Sequence, residues 1–169
     1  MKSMIFALCS SIALWALPFA SSLSAADVAF STDRAFVAKV SQGGMYEVEA
    51  SKIAAQKATA QDVKDLAIME IHDHELVNRE LRKIAASDGT EVPLQLNSTF
   101  QQRLAQLKSN SGTAFDAAYV NDMAQIHDMD EKLFAREAVE GSSDFKVFAA
   151  NTDAIVKRHI GAIHGTDAK

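Results

Sequence analysis

One cysteine, two prolines and seven glycines in 169 residues leave little to staple, kink or loosen this chain. A lone Cys excludes an internal disulfide framework. No block of Lys or Arg stands anywhere, and 17 basic against 22 acidic residues give a net charge of −5. That balance disfavours nucleic acid as a partner, because phosphate contacts demand clustered positive charge. No Gly-rich phosphate loop and no Ser/His/Asp arrangement is present. The motifs therefore name no reaction, and the chain reads as a non-enzymatic protein. What is present in quantity is apolar: 48% of the residues, enough to exclude disorder.

The first 26 residues read as a secretory signal peptide. Met1-Lys2 is a short positive start, and Met4 to Ala20 is nearly continuous apolar sequence. Small residues follow, with Ser24 and Ala26 at −3 and −1 of a cut before Asp27. Cys9, Ser10, Ser11 and Pro18 interrupt the apolar stretch, which is short for a membrane span. Cleavage near Ala26 implies a periplasmic or secreted protein with no stable membrane span. Cys9 and Trp15, each the only one of its kind, leave with the leader, and the remainder carries −6 because Lys2 is its only charge. Residues 27–169 suit a single domain, held by packing without any thiol.

That domain reads as helices. Apolar residues recur at helical spacing, and strand-like alternation is absent. The first stripe is Phe36, Val40, Gly43, Glu47, Ala50, Ala54, in a helix from about Thr32 to Lys57. The second is Val63, Leu66, Glu70, His74, Val77, Leu81, Ile84, from about Ala60 to Ser87, with Thr59 and Asp62 as a capping pair and Asp88-Gly89 as its end. A connector containing Pro93 opens a short helix at a Ser98-x-x-Gln101 capping box. The third long helix opens at Thr113-x-x-Asp116 and carries Phe115, Tyr119, Met123, His127, Asp130, Phe134. The fourth, from Ser143 to about Ile163, carries Phe145, Phe148, Thr152, Ile155, His159, Ile163. The expected fold is all-α: a four-helix bundle with a short extra helix in the connector between long helices two and three.

Four of these stripes are interrupted by ionisable residues: Glu47, His74, His127 and His159, one per helix. At 1.5 Å per residue they lie roughly 15, 20, 20 and 24 Å from their nearest links, near mid-height in each helix. Three imidazoles and a carboxylate are competent ligands for one transition-metal ion such as Zn, Cu or Fe. Glu70, one turn before His74, and Asp130, just after His127, are possible additional ligands or acceptors for imidazole N–H groups. The same four groups would also serve as a metal-free polar layer that fixes pairing in a structural or stress-related interaction module. A metal-dependent oxidase is a third reading. No protein partner is indicated by the sequence. His72 and His164 read as solvated, and Gly43-Gly44 as a place where helices approach closely.

Taken together, Phe36…Gly43…Glu47…Ala54, Val63-Lys64…Ala67…Met69…Asp73-His74, Gly89…Pro93, Gly112…Phe115-Asp116…Tyr119…His127 and Lys146…Ala149…His159 resemble the bacterial secreted family known as domain of unknown function 4142. The resemblance covers about residues 30–164. It implies a ferritin-like four-helix bundle and an exported, periplasmic setting, and it brings no established activity. Di-iron ferritin-like proteins use Glu-x-x-His pairs. Here Glu70 and His74 are spaced by four, and His159 has Val156 where the Glu would stand. A mononuclear, His-rich site is the more natural metal reading.

Overall fold

A computed structural model describes residues 25–166. The expected leader, residues 1–26, lies outside them except for Ala25 and Ala26, which begin the first helix. Five helices follow in order: α1 (Ala25–Lys57), α2 (Gln61–Ser87), α3 (Ser98–Ser109), α4 (Gly112–Glu140) and α5 (Ser143–Gly165). No strand occurs among the described residues. No helix among them is long and apolar enough to cross a membrane.

The four long helices form the bundle, and α3 lies in the connector as expected. Two links fix the topology. At one end, Thr59 and Ala60, between α1 and α2, donate their backbone N–H groups to Asp116 near the start of α4, at 3.0 and 2.9 Å. At the other, Asp33 of α1 accepts the N–H of Ser142, between α4 and α5, at 3.0 Å. So α1 runs antiparallel to both α2 and α4. The connector must then climb back along the bundle, and α3 does so against α1. Phe100 packs on Tyr46 with ring centroids 5.1 Å apart, and Lys57 Nζ donates to the Lys108 carbonyl at 2.6 Å.

Helix ends differ from the expected caps in three places. Asn97, not Ser98, caps α3: its side chain accepts the Phe100 N–H. Thr59 does not cap α2; its hydroxyl donates to Asp116. Asp116 does not cap its own helix, because its oxygens are taken by the start of α2. For Thr59 and Asp116 a partner distant in sequence competed with the local one. Gly89 ends α2 as expected, at φ +72°, a conformation that glycine adopts at no steric cost. Gly44 allows the close approach of α1 and α2: a Cβ there would lie 2.3 Å from Asn78 Oδ1.

The core is two apolar clusters, not one. Tyr46, Ala50, Ala54, Leu66, Phe115, Tyr119 and Met123 pack toward the α1–α2 link. Phe36, Val40, Leu81, Phe134, Phe145 and Phe148 pack toward the α4–α5 link, where Phe36 meets Phe134 edge-on at 5.2 Å. Between the two lies a layer of buried ionisable side chains.

A candidate metal centre between two apolar clusters

The stripe residues Glu47, His74, His127 and His159 all reach this layer, each from a different long helix. Glu70 joins them and occupies its centre. Glu47, Glu70, His127 and His159 are at most 1% exposed, and His74 is 4% exposed. Around Glu70, Oε2 lies 3.0 Å from His74 Nε2 and 3.1 Å from His159 Nδ1, and Oε1 lies 3.4 Å from His127 Nε2. His127 Nε2 and His159 Nδ1 are 3.0 Å apart. One ligand atom from each of Glu70, His74, His127 and His159 falls within 4.8 Å of all the others. Neither Glu70 oxygen, nor His74 Nε2, has a partner in hydrogen-bond geometry.

Glu47 stands on the other side of the rings. Its Oε2 is 3.2 Å from His74 Nδ1 and its Oε1 is 3.7 Å from His127 Nδ1. The structure therefore exchanges the expected places of the two carboxylates: Glu70 faces the inner nitrogens and Glu47 the outer ones. Asp130 is half-buried beside the layer. Burial and the Glu47 charge push its carboxyl up to about 8.

Two of the rings turn their second nitrogen to a hydrogen-bond acceptor. His127 Nδ1 donates to the Met123 carbonyl, one turn back on α4, at 2.9 Å. His159 Nε2 donates to Asp73 Oδ2 at 2.8 Å. His74 Nδ1 lies 3.2 Å from Glu47 Oε2, an ion-pair contact without hydrogen-bond geometry, and neither Glu47 oxygen has a hydrogen-bond partner. With the outer nitrogens of His127 and His159 both donating, two neutral rings would meet lone pair to lone pair across 3.0 Å. A neutral imidazole has only one N–H to give. Positive charge must therefore lie between the inner nitrogens, as a proton or a metal ion.

Electrostatics favour that charge. Burial alone would push the imidazoles down. The carboxylates of Glu47 and Glu70 outweigh it, raising His74 to about 9 and His127 to about 10. Burial likewise pushes the Glu70 carboxyl up, but the three imidazoles hold it well below the usual range. Tyr119, whose hydroxyl bonds Ser51 Oγ at 2.8 Å, is pushed up by burial and by Glu70.

Asp73 stands among the residues of the family resemblance, but nothing in the sequence assigns it a role. It stands three residues after Glu70 and one before His74, so helical periodicity puts it on the flank of the stripe. The signal for it was the i, i+3, i+4 set Glu70, Asp73, His74, read as one acidic-imidazole face. His72 is exposed as expected, and its Nδ1 meets Asp73 Oδ1 at 3.0 Å. His164 is exposed.

Over residues 19–165 the chain matches the family described as Domain of unknown function (DUF4142). No curated protein and no solved structure matches it.

Proposed function

The chain belongs to the DUF4142 family, a domain of unknown function, and from its buried layer we propose that it binds one transition-metal ion through Glu70, His74, His127 and His159. The observation that carries this reading is the meeting of their inner donor atoms, with both Glu70 oxygens lacking a hydrogen-bond partner. Metal–ligand bonds of about 2.0–2.1 Å in a tetrahedron separate neighbouring ligand atoms by about 3.3–3.4 Å. Glu70 Oε2 lies 3.0 and 3.1 Å from His74 and His159, Oε1 lies 3.4 Å from His127, and His127 and His159 are 3.0 Å apart, while the set with one atom from each residue lies within 4.8 Å, a little wider than that tetrahedron. Imidazole with one carboxylate suits Zn, Cu or Fe in preference to the harder Mg or Ca.

His127 and His159 each have an acceptor on the far nitrogen, an arrangement that orients the ring and raises its basicity. Glu47 stands 3.2 Å from the far nitrogen of His74 as its counter-charge. Four protein donors fill a tetrahedron and leave no open position for water or substrate, which supports binding or storage over catalysis. We place this protein outside the cytoplasm, on the strength of the expected leader.

Equilibrium dialysis of chelator-stripped protein against Zn, Cu and Fe tests the reading. Stoichiometry near one, lost in His74→Ala and His127→Ala, is the expected result. Uptake no greater than that of a variant lacking all four side chains would overturn it. A second reading is favoured by the raised His74 and His127: the layer holds protons in place of metal and serves as a polar plate in an interaction module. It predicts no uptake in the same dialysis.

A further inference from the structure

Asp73 lies outside the four ligands yet touches one of them from behind, and it is not left alone there. Its Oδ2 accepts from His159 Nε2 at 2.8 Å, and the same oxygen is approached by the Arg158 guanidinium. Its Oδ1 meets His72 Nδ1. Asp73 is 8% exposed, whereas the Arg158 side chain is 55% exposed. A buried ring thus leans on a carboxylate that a surface cation partly neutralises.

We propose that Asp73 is a positioning residue that fixes His159 with Nδ1 toward the ligand set, and that Arg158 tempers it, so that together they set how tightly the centre holds its metal. This rests on the metal reading above. A carboxylate accepting from the far nitrogen makes an imidazole a stronger donor to metal. A guanidinium on that carboxylate draws charge away and weakens the effect. It also adds a positive charge near a cation site. Both consequences of Arg158 oppose metal binding, whereas the hydrogen bond from Asp73 favours it.

The two variants must therefore move affinity in opposite directions. An ion pair of purely structural value would make them move together. Calorimetric titration of the full chain with zinc is the test. Asp73→Ala should weaken binding about 10–100-fold at unchanged stoichiometry. Asp73→Asn, which keeps an acceptor oxygen, should lose less. Arg158→Gln should tighten binding by a few fold. Equal weakening in Asp73→Ala and Arg158→Gln, or no change in Asp73→Ala, would overturn the proposal. If the wild-type chain takes up no zinc, the metal reading has failed separately. Ring nitrogen spectra of the metal-free protein then decide on Asp73. A His159 Nε2–H signal present in wild type and absent in Asp73→Ala upholds its positioning role, and an unchanged signal removes it.

Discussion

Raising the pH on chelated protein should destabilise it, and adding metal should reverse the loss. His74 and His127 take up protons more tightly when folded than unfolded, at about 9 and about 10 against 6.5. Their contribution is fully present below the unfolded value and is lost as pH rises through the folded ones. The rise at His127 alone corresponds to a ceiling of about 5 kcal/mol at 1.36 kcal/mol per unit. Both rings draw on the same two carboxylates and repel each other, so their effects do not add. About 3–5 kcal/mol for the whole layer is the working figure. At about 4 °C per kcal/mol, this lowers Tm by about 10–20 °C. Asp130 and Glu137, each raised to about 8, act in the same direction but are spent by about pH 9. The fall between about pH 9 and 10 therefore belongs to the imidazoles. Far-UV circular dichroism melts in chelator measure it. Metal competes with protons for the same nitrogens, so saturating zinc should flatten the curve on the alkaline side. A metal-free Tm that holds level or climbs over that interval would refute the reasoning.

Other expectations follow from single contacts. Glu70→Gln removes the carboxylate that faces three inner nitrogens. Zinc affinity measured by dialysis should fall by more than about a hundredfold, beyond what loss of an outer acceptor costs. Phe36→Ala opens the aromatic cluster it forms with Phe134, Phe145 and Phe148, and urea unfolding should show a loss of about 3–5 kcal/mol. Asp116→Asn weakens the charge-assisted bonds that tie α4 to Thr59 and Ala60. It should cost about 1.5–3 kcal/mol near neutral pH. Because Asp116 is held below its ordinary value by those bonds, against the upward push of burial, the cost should shrink in acid. Burial and Asp33 push Glu137 up to about 8. Glu137→Gln should exceed wild type in Tm at about pH 9, where the wild-type pair has lost its proton.

The stripes made the bundle legible. Phe36, Leu81, Phe134 and Phe148 recur at helical spacing and all lie in one cluster, because burial of one face is a local, periodic property of sequence. Mid-height arithmetic placed Glu47, His74, His127 and His159 in a common layer for the same reason: rise per residue is constant. Periodicity does not resolve which side of a ring a carboxylate meets. Glu47 and Glu70 sit on equivalent stripes, and only the packed side-chain torsions put Glu70 inside and Glu47 behind. Caps failed where a distant acceptor won: Asp116 matches a local capping pattern but serves the start of α2, 57 residues away in sequence from Thr59. Asp73 has no role legible in the sequence because its importance comes from α5, through His159 and Arg158.

The division of the interior has a consequence for alignment. The α1–α2 hairpin brings two acids and one imidazole to the plate, and the α4–α5 hairpin brings two imidazoles. A slip of one hairpin along the other by a single turn, about 5.4 Å, would drive Glu70 among aliphatic and aromatic side chains and leave His127 without its counter-charge. Grease tolerates sliding, since one methyl resembles the next. Ions stranded in it do not, so the plate acts as a detent that gives these rods one longitudinal setting.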